Sequence, residues 1–152
     1  MSVRFLALVA ISLTGCSSQR PASSSARESL LLQALLYGVD SLAPGKGKHL
    51  LTCVGIDTGR QIADPSSEIL TALRKRDSRV MASSECQPMF RDIAAVHDTV
   101  FIGANLDSIA TSPPRIGLRT WRSGLWGGGY LCSLRSHGGN WQLGKCQMVW
   151  IS

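Results

Sequence analysis

YLCSLRS at 130–136, HGGN at 137–140 and WQLGKCQMVW at 141–150 form the passage that decides the fold. Both flanks are rich in strand-forming residues, and the glycines between them suit a tight hairpin turn. A turn centred near Gly139 brings Cys132 and Cys146 opposite each other. Facing residues on paired strands have Cβ atoms about 4.5–5.5 Å apart, within reach of a disulfide. Alternation along each strand then puts Cys132, Leu134, Cys146, Met148 and Trp150 on one face, read as core. Leu131, Arg135, Trp141, Leu143 and Lys145 fall on the other.

Upstream, strand patterns continue over Arg115–Arg122 and Asp98–Ile109. The latter alternates Val100, Ile102, Ala104 and Leu106 against Phe101, Gly103, Asn105 and Asp107, which predicts one wetter face. His49–Ile56 and Arg79–Ala82 read as shorter strands. Helical spacing comes earlier still. Leu31, Leu35, Val39 and Leu42 form a stripe behind Ser25 as N-cap, with Glu28 completing a capping box. Asp64 as N-cap and Pro65 at the first position open a second helix, with Ile69, Leu70 and Leu73 inward. Arg74, Lys75 and Arg76 close it, where the helix dipole favours cations. Helices early and strands late give the α+β class: N-terminal helices packed on a curved antiparallel sheet, stapled by two disulfides. That order, with its glycine-turn hairpin at the end, is similar to the cystatin-like and NTF2-like architectures. Those folds host enzymes, ligand binders and interaction modules, so the likeness implies an architecture and no single function.

The N-terminus carries an address. Arg4 precedes an apolar run from Phe5 to Leu13. This is the charged start and short apolar centre of a secretory signal, well below the ~20 residues of a membrane span. Leu13-Thr14-Gly15-Cys16 then resembles a bacterial lipobox. The resemblance implies cleavage before Cys16, lipidation of that cysteine and a lipoprotein held in the cell envelope. Ser17 rather than aspartate after the cysteine implies the outer membrane, facing the periplasm. The expected organisation is a signal peptide at 1–15, a lipidated Ser-rich tether at 16–25 and one α+β domain at 26–152.

With Cys16 set aside, Cys53, Cys86, Cys132 and Cys146 remain, an even number in an exported chain. The hairpin selects Cys132–Cys146 from the three possible connectivities, and Cys53–Cys86 follows by elimination. No C-x₂-C pair supports zinc.

The formal net charge is +6. From Ser108 to Ser152 the chain carries Arg115, Arg119, Arg122, Arg135 and Lys145 and no acid, together with all four tryptophans (Trp121, Trp126, Trp141, Trp150). This asymmetry favours an anionic partner, with a solvated basic face as the plainer alternative. Export argues against nucleic acid. Ser123–Gly129 places Trp126 in a Gly-rich loop between basic strands, and tryptophan with arginine is the usual core of an interface. The candidate binding surface is therefore Arg119, Trp121, Trp126, Arg135, Trp141 and Lys145. Its alternative is a shielding role, with arginine stems packed over the indoles.

No catalytic set, cofactor motif or metal set stands out. His97-Asp98 is the most suggestive pair, but neighbours on a strand point to opposite faces. His137 falls in a turn and His49 begins a strand. Gly45-Lys46-Gly47-Lys48 lacks P-loop spacing. The expected function is a non-enzymatic envelope lipoprotein that binds an acidic protein or envelope polymer, of inhibitor, immunity or accessory type. The alternative is a small-ligand binder or enzyme with an NTF2-like pocket.

Overall fold

The computed structural model describes residues 24–43, 51–86, 99–106, 113–122, 126–138 and 140–151. Cys16, His49, His97-Asp98 and Gly45-Lys46-Gly47-Lys48 lie outside them. So do the signal segment and residues 16–23 of the expected tether.

Leu30, Leu31, Ala34 and Leu35 recur at helical spacing, and all four are buried on helix α1, Ser24–Tyr37. Ser25 stands inside this helix rather than at its N-cap, a shift of the size by which helix ends commonly differ. The predicted stripe runs on through Val39 and Leu42, but over Gly38–Leu42 the helix widens to a π turn. Ala43 N–H donates to Gly38 O at 3.0 Å, closing that wider ring. Gly38 packs so closely on Ile102 that a side chain there would overlap it. The last turn of the stripe thus adapts to the sheet beneath.

The strands are β1 (Leu51–Asp57), β2 (Ile62–Ala63), β3 (Val80–Ala82), β4 (Thr99–Asn105), β5 (Arg115–Arg122), β6 (Trp126–His137) and β7 (Asn140–Ile151). They form one sheet in the order β2-β1-β4-β5-β6-β7, with β3 also on β1. The expectation of an all-antiparallel sheet is corrected, because β1 runs parallel to both β4 and β3. A strand has two edges. β4 takes one edge of β1, so β3 (opposite residues 52–54) and β2 (opposite residues 56–57) share the other. From β4 onward every pairing is antiparallel. The class is α+β with a mixed sheet.

The parallel half explains a second departure. Thr99–Ala104 of β4 is buried throughout, without the predicted wetter face. Strands beside a parallel neighbour in mid-sheet are commonly covered on both sides. Here Val100, Ile102 and Ala104 meet α1, and Phe101 meets the Cys53–Cys86 bridge from the opposite side.

Helix α2 spans Ser67–Arg76, with Ser66 at the N-cap position in an extended conformation. The expected N-cap, Asp64, lies outside it. Asp64 and Pro65 precede the cap without regular structure, so the helix starts two residues later than expected. The Asp64 carboxylate instead accepts from Ser84 N–H (2.8 Å) and Ser84 Oγ (2.6 Å), at the four-residue helix α3, Ser83–Cys86. Ile69 and Leu73 are buried as expected, and Leu70 packs beside them. In the last turn Arg74 pairs with Glu85 and Arg76 with Asp40.

Helices α1 and α2 cover one face of the sheet, and the short α3 lies on the other, behind the Cys53–Cys86 bridge. Leu30, Leu35, Leu73, Val54, Ile102, Ile116, Leu118 and Cys132 fill the layer between, each essentially inaccessible. Burying such a side chain stabilises by about 1.5–3 kcal/mol. Both disulfides, Cys53–Cys86 and Cys132–Cys146, are formed.

Candidate functional site: the open face of the sheet

Which side chains the uncovered face displays depends on β7. At its turn the hairpin is tight. His137 pairs with Asn140, and Gly138 beyond it has φ of +58°, where other residues are strained. This register pairs Arg135 with Gln142 and Leu134 with Leu143, and carried on unbroken it would set Cys132 against Lys145. A bulge intervenes: Gly144 and Lys145 together oppose Ser133, which restores Cys132 to Cys146. The disulfide pairing read from the sequence is present, but the bulge produces it rather than a turn centred on Gly139. A second irregularity lies at Val149, between the pairs Tyr130–Met148 and Gly129–Trp150.

Each bulge exchanges the faces of the residues beyond it. Trp141 and Leu143, expected outward, lie on the covered face against the core. There Gln33 of α1 donates to Trp141 O (3.4 Å) and accepts from Leu143 N–H (2.9 Å). Trp150, expected in the core, lies on the open face, 44% exposed, its indole across the backbone of Gly129. A methyl group at Gly129 would overlap that indole, so only glycine permits this close approach. Of the six residues singled out, Arg119, Trp121, Arg135 and Lys145 belong to the open face and Trp141 does not. Trp126 is the first residue of β6, paired with Arg122, rather than a loop residue.

The pairings arrange the open face in rows across β5, β6 and β7, successive rows about 6.6 Å apart along the strands. The first row is Arg115, Ser133 and the Gly144-Lys145 bulge, with Arg135 two residues further along β6. Ser133 Oγ donates to Lys145 O at 3.3 Å, holding the bulge. Gly117, Leu131 and Gln147 form the second row, with Asn105 of β4 at its end. Arg119, Gly129 and Trp150 form the third, with Gly103 of β4 beyond. In the fourth, Trp121 stacks on Phe101 at 4.7 Å between centroids and 8° between planes. Because Gly117 and Gly129 have no side chains, the second and third rows sink into an open hollow of about 190 Å³. Asn105, Arg119, Leu131, Tyr130 and Trp150 are among its walls.

Arg119 is more than a surface cation. Its Nη1 lies 3.0 Å from Asp57 Oδ2, a carboxylate buried at the end of β1. The angle misses hydrogen-bond geometry, so the contact is an ion pair that offsets an otherwise unpartnered oxygen. Asp57 Oδ1 accepts from Gly59 N–H at 2.7 Å in the following turn. Two positions far apart in sequence thereby neutralise each other. Among the described residues no ion pair involves Arg115, Arg135 or Lys145. They are exposed, and they set the charge of this end of the face.

Sequence reasoning missed Asp57, Gly117, Gly129 and Trp150. The Asp57-Thr58-Gly59 turn and the GGG run at 127–129 were visible signals. The indole over Gly129 was not, because it requires the second bulge. Among the described residues no three His, Cys, Asp or Glu side chains cluster to hold a metal, and no helix is long and apolar enough to cross a membrane. The chain matches no protein family, no curated protein and no solved structure.

Proposed function

We propose that the protein is a non-enzymatic binding module that takes an anionic macromolecule on the open face of its sheet. One observation carries this reading: Arg115, Arg135 and Lys145 converge around Ser133 on the face that also carries Trp150, about 13 Å along the strands, and Trp121, about 20 Å along, with Asp57 the one described acid on it, itself paired to Arg119. Aromatic groups and a cation cluster along one uncovered sheet face form a surface suited to an extended acidic partner.

The address completes the proposal. The lipobox Leu13-Thr14-Gly15-Cys16 supports a lipoprotein anchored by Cys16, facing the periplasm from the outer membrane, with an acidic protein or envelope polymer as partner. An inhibitor, an immunity protein or an accessory subunit of an envelope machine fits this placement. Replacing Cys16 with alanine should abolish labelled-palmitate incorporation, and label persisting on the variant would refute the anchor.

The packing of α1 and α2 on one face of a strand-rich domain also supports the likeness to cystatin-like and NTF2-like folds. The small-ligand or enzymatic alternative needs an NTF2-like pocket between helices and sheet. That space is filled by Leu30, Leu35, Ile102, Ile116 and Leu118, and the hollow described above lies on the opposite side.

The decisive experiment is capture from envelope extract by the full-length chain at low and high salt, against an Arg135→Glu/Lys145→Glu control. Arg119 is left intact, since reversing it would set a like charge beside the buried Asp57 carboxylate. A partner held by the parent, lost in the control and weakened by salt is expected. A partner retained by the control would overturn the reading.

A further inference from the structure

The chemistry of the partner can be read more closely, on the premise that the open face is the anion-binding surface. We infer that it takes an anionic polysaccharide, with one sugar ring on the plane of Trp150 and the acid groups of neighbouring sugars on Arg115, Arg135 and Lys145.

Three features select a glycan over an acidic peptide. The first is the posture of Trp150. Its indole is flattened on Gly129 by the absence of a side chain there, yet the residue remains 44% exposed. One broad apolar plane is therefore turned outward. Such a plane suits the C–H face of a pyranose ring, which is flat, rigid and loses little entropy on docking. A peptide side chain would have to be ordered to use it.

The second is the hollow. At about 190 Å³ it lies below the ~300–1,000 Å³ of pockets that enclose whole small molecules, and it is open. It accepts one ring of a longer chain. Its border mixes the kinds of group that a sugar presents: Leu131 and Trp150 for C–H surfaces, and Arg119 and Asn105 for hydroxyls. Arg119 is held in place by Asp57, so its remaining N–H groups are positioned in advance.

The third is periodicity. Gly129 and Ser133 are four residues apart on β6, so the Trp150 plane and the cation cluster are separated by roughly 13 Å along the strand. The Arg115, Arg135 and Lys145 cluster sits at one end of the hollow, while Arg119 in its wall is paired to Asp57. A ligand that puts an uncharged ring at one point and carboxylates further along matches this spacing. A compact anion would meet only the cluster.

The test uses the full-length chain with its disulfides intact and three probes: a hyaluronan octasaccharide (alternating uronate and N-acetyl sugars), an uncharged N-acetylglucosamine oligomer, and poly-L-glutamate. Binding is read by calorimetry and tryptophan fluorescence for the parent, Trp150→Ala, Trp150→Phe and Arg135→Glu/Lys145→Glu. Far-ultraviolet dichroism checks that each variant is folded. Hyaluronan is expected to bind and quench fluorescence. Its affinity should fall by about tenfold or more in both Trp150→Ala and the charge-reversed variant, with partial recovery in Trp150→Phe. The uncharged oligomer should respond to Trp150 alone. Hyaluronan affinity within about twofold of the parent in either variant would overturn the inference. Binding of poly-L-glutamate alone, indifferent to Trp150, would overturn the glycan and leave the anion-binding face standing. Binding of no probe, together with failure of the capture experiment, would overturn both.

Discussion

The two faces of the sheet are built by opposite means. The covered face is assembled from side chains of ordinary packing type: Leu30, Leu35, Leu73, Ile102, Ile116 and Leu118, closed off from solvent by α1 and α2. The open face is assembled from omissions and pairings. Gly103, Gly117 and Gly129 leave room, Trp121 and Trp150 lie flat in or beside that room, and Arg119 is held by Asp57. One face is specified by what fills it and the other by what is left out. Substitutions should separate them, stability following the first and recognition the second.

The disulfides give the largest expected effects. Cys132–Cys146 staples the covered side of the hairpin at a sequence separation of 14; Cys53–Cys86 stands behind Phe101 at a separation of 33. Loop-closure entropy predicts losses of about 3 and about 4 kcal/mol on paired replacement by alanine. Guanidinium unfolding of the two double variants checks the order. A larger loss at Cys132–Cys146 would mean that packing around Cys132 outweighs loop length. Next comes Leu35→Ala. It removes a fully buried side chain and should cost about 3 kcal/mol, while Leu131→Ala on the open face costs less than about 1. Equal losses would break the comparison.

Arg119 is the exception on its own face. Arg119→Ala strands the buried Asp57 carboxylate and should cost about 1–3 kcal/mol, tempered because the guanidinium is half-exposed. Asp57→Asn added to it should restore part of the loss. A double-mutant cycle without coupling would show that the pair contributes no stability.

How much of this was legible differs between the faces for the same reason. The covered face could be read because period and hydrophobicity agree: the stripe of Leu31, Leu35, Val39 and Leu42, and Ile69 and Leu73 on the second helix, were all in place. The cysteine pairing was legible too. Parallel pairing of β1 with β4 was not, since it depends on which strands meet rather than on any one strand's pattern. Nor was the open face. One extra residue at Gly144-Lys145 and another at Val149 reverse the alternation, which sent Trp141 inward and Trp150 outward against the reading. Charge counting erred at Arg119 because folding returns Asp57 to it.

The smallest expected effect concerns acid. The carboxylates whose titration favours folding lie at the α2–β3–α3 corner, away from the open face. The Arg79 side chain holds the Asp77 carboxyl below its ordinary value, against partial burial, with help from Arg79 N–H. Glu85 is lowered first by the Ala82 N–H at 2.6 Å and then by Arg74. Both are depressed in the fold, so their stabilisation is complete above the unfolded carboxylate range and is lost as pH falls through the lowered values. The melting temperature should therefore decline below about pH 4. Glu85→Gln should flatten part of that decline, by less than about 1 kcal/mol because the pair is substantially exposed. Thermal melts between pH 3 and 6, on parent and variant, check it. An unchanged acid slope in Glu85→Gln would assign the acid sensitivity to Asp77 and its Arg79 partner instead, and would leave the Arg74–Glu85 pair without a share in it.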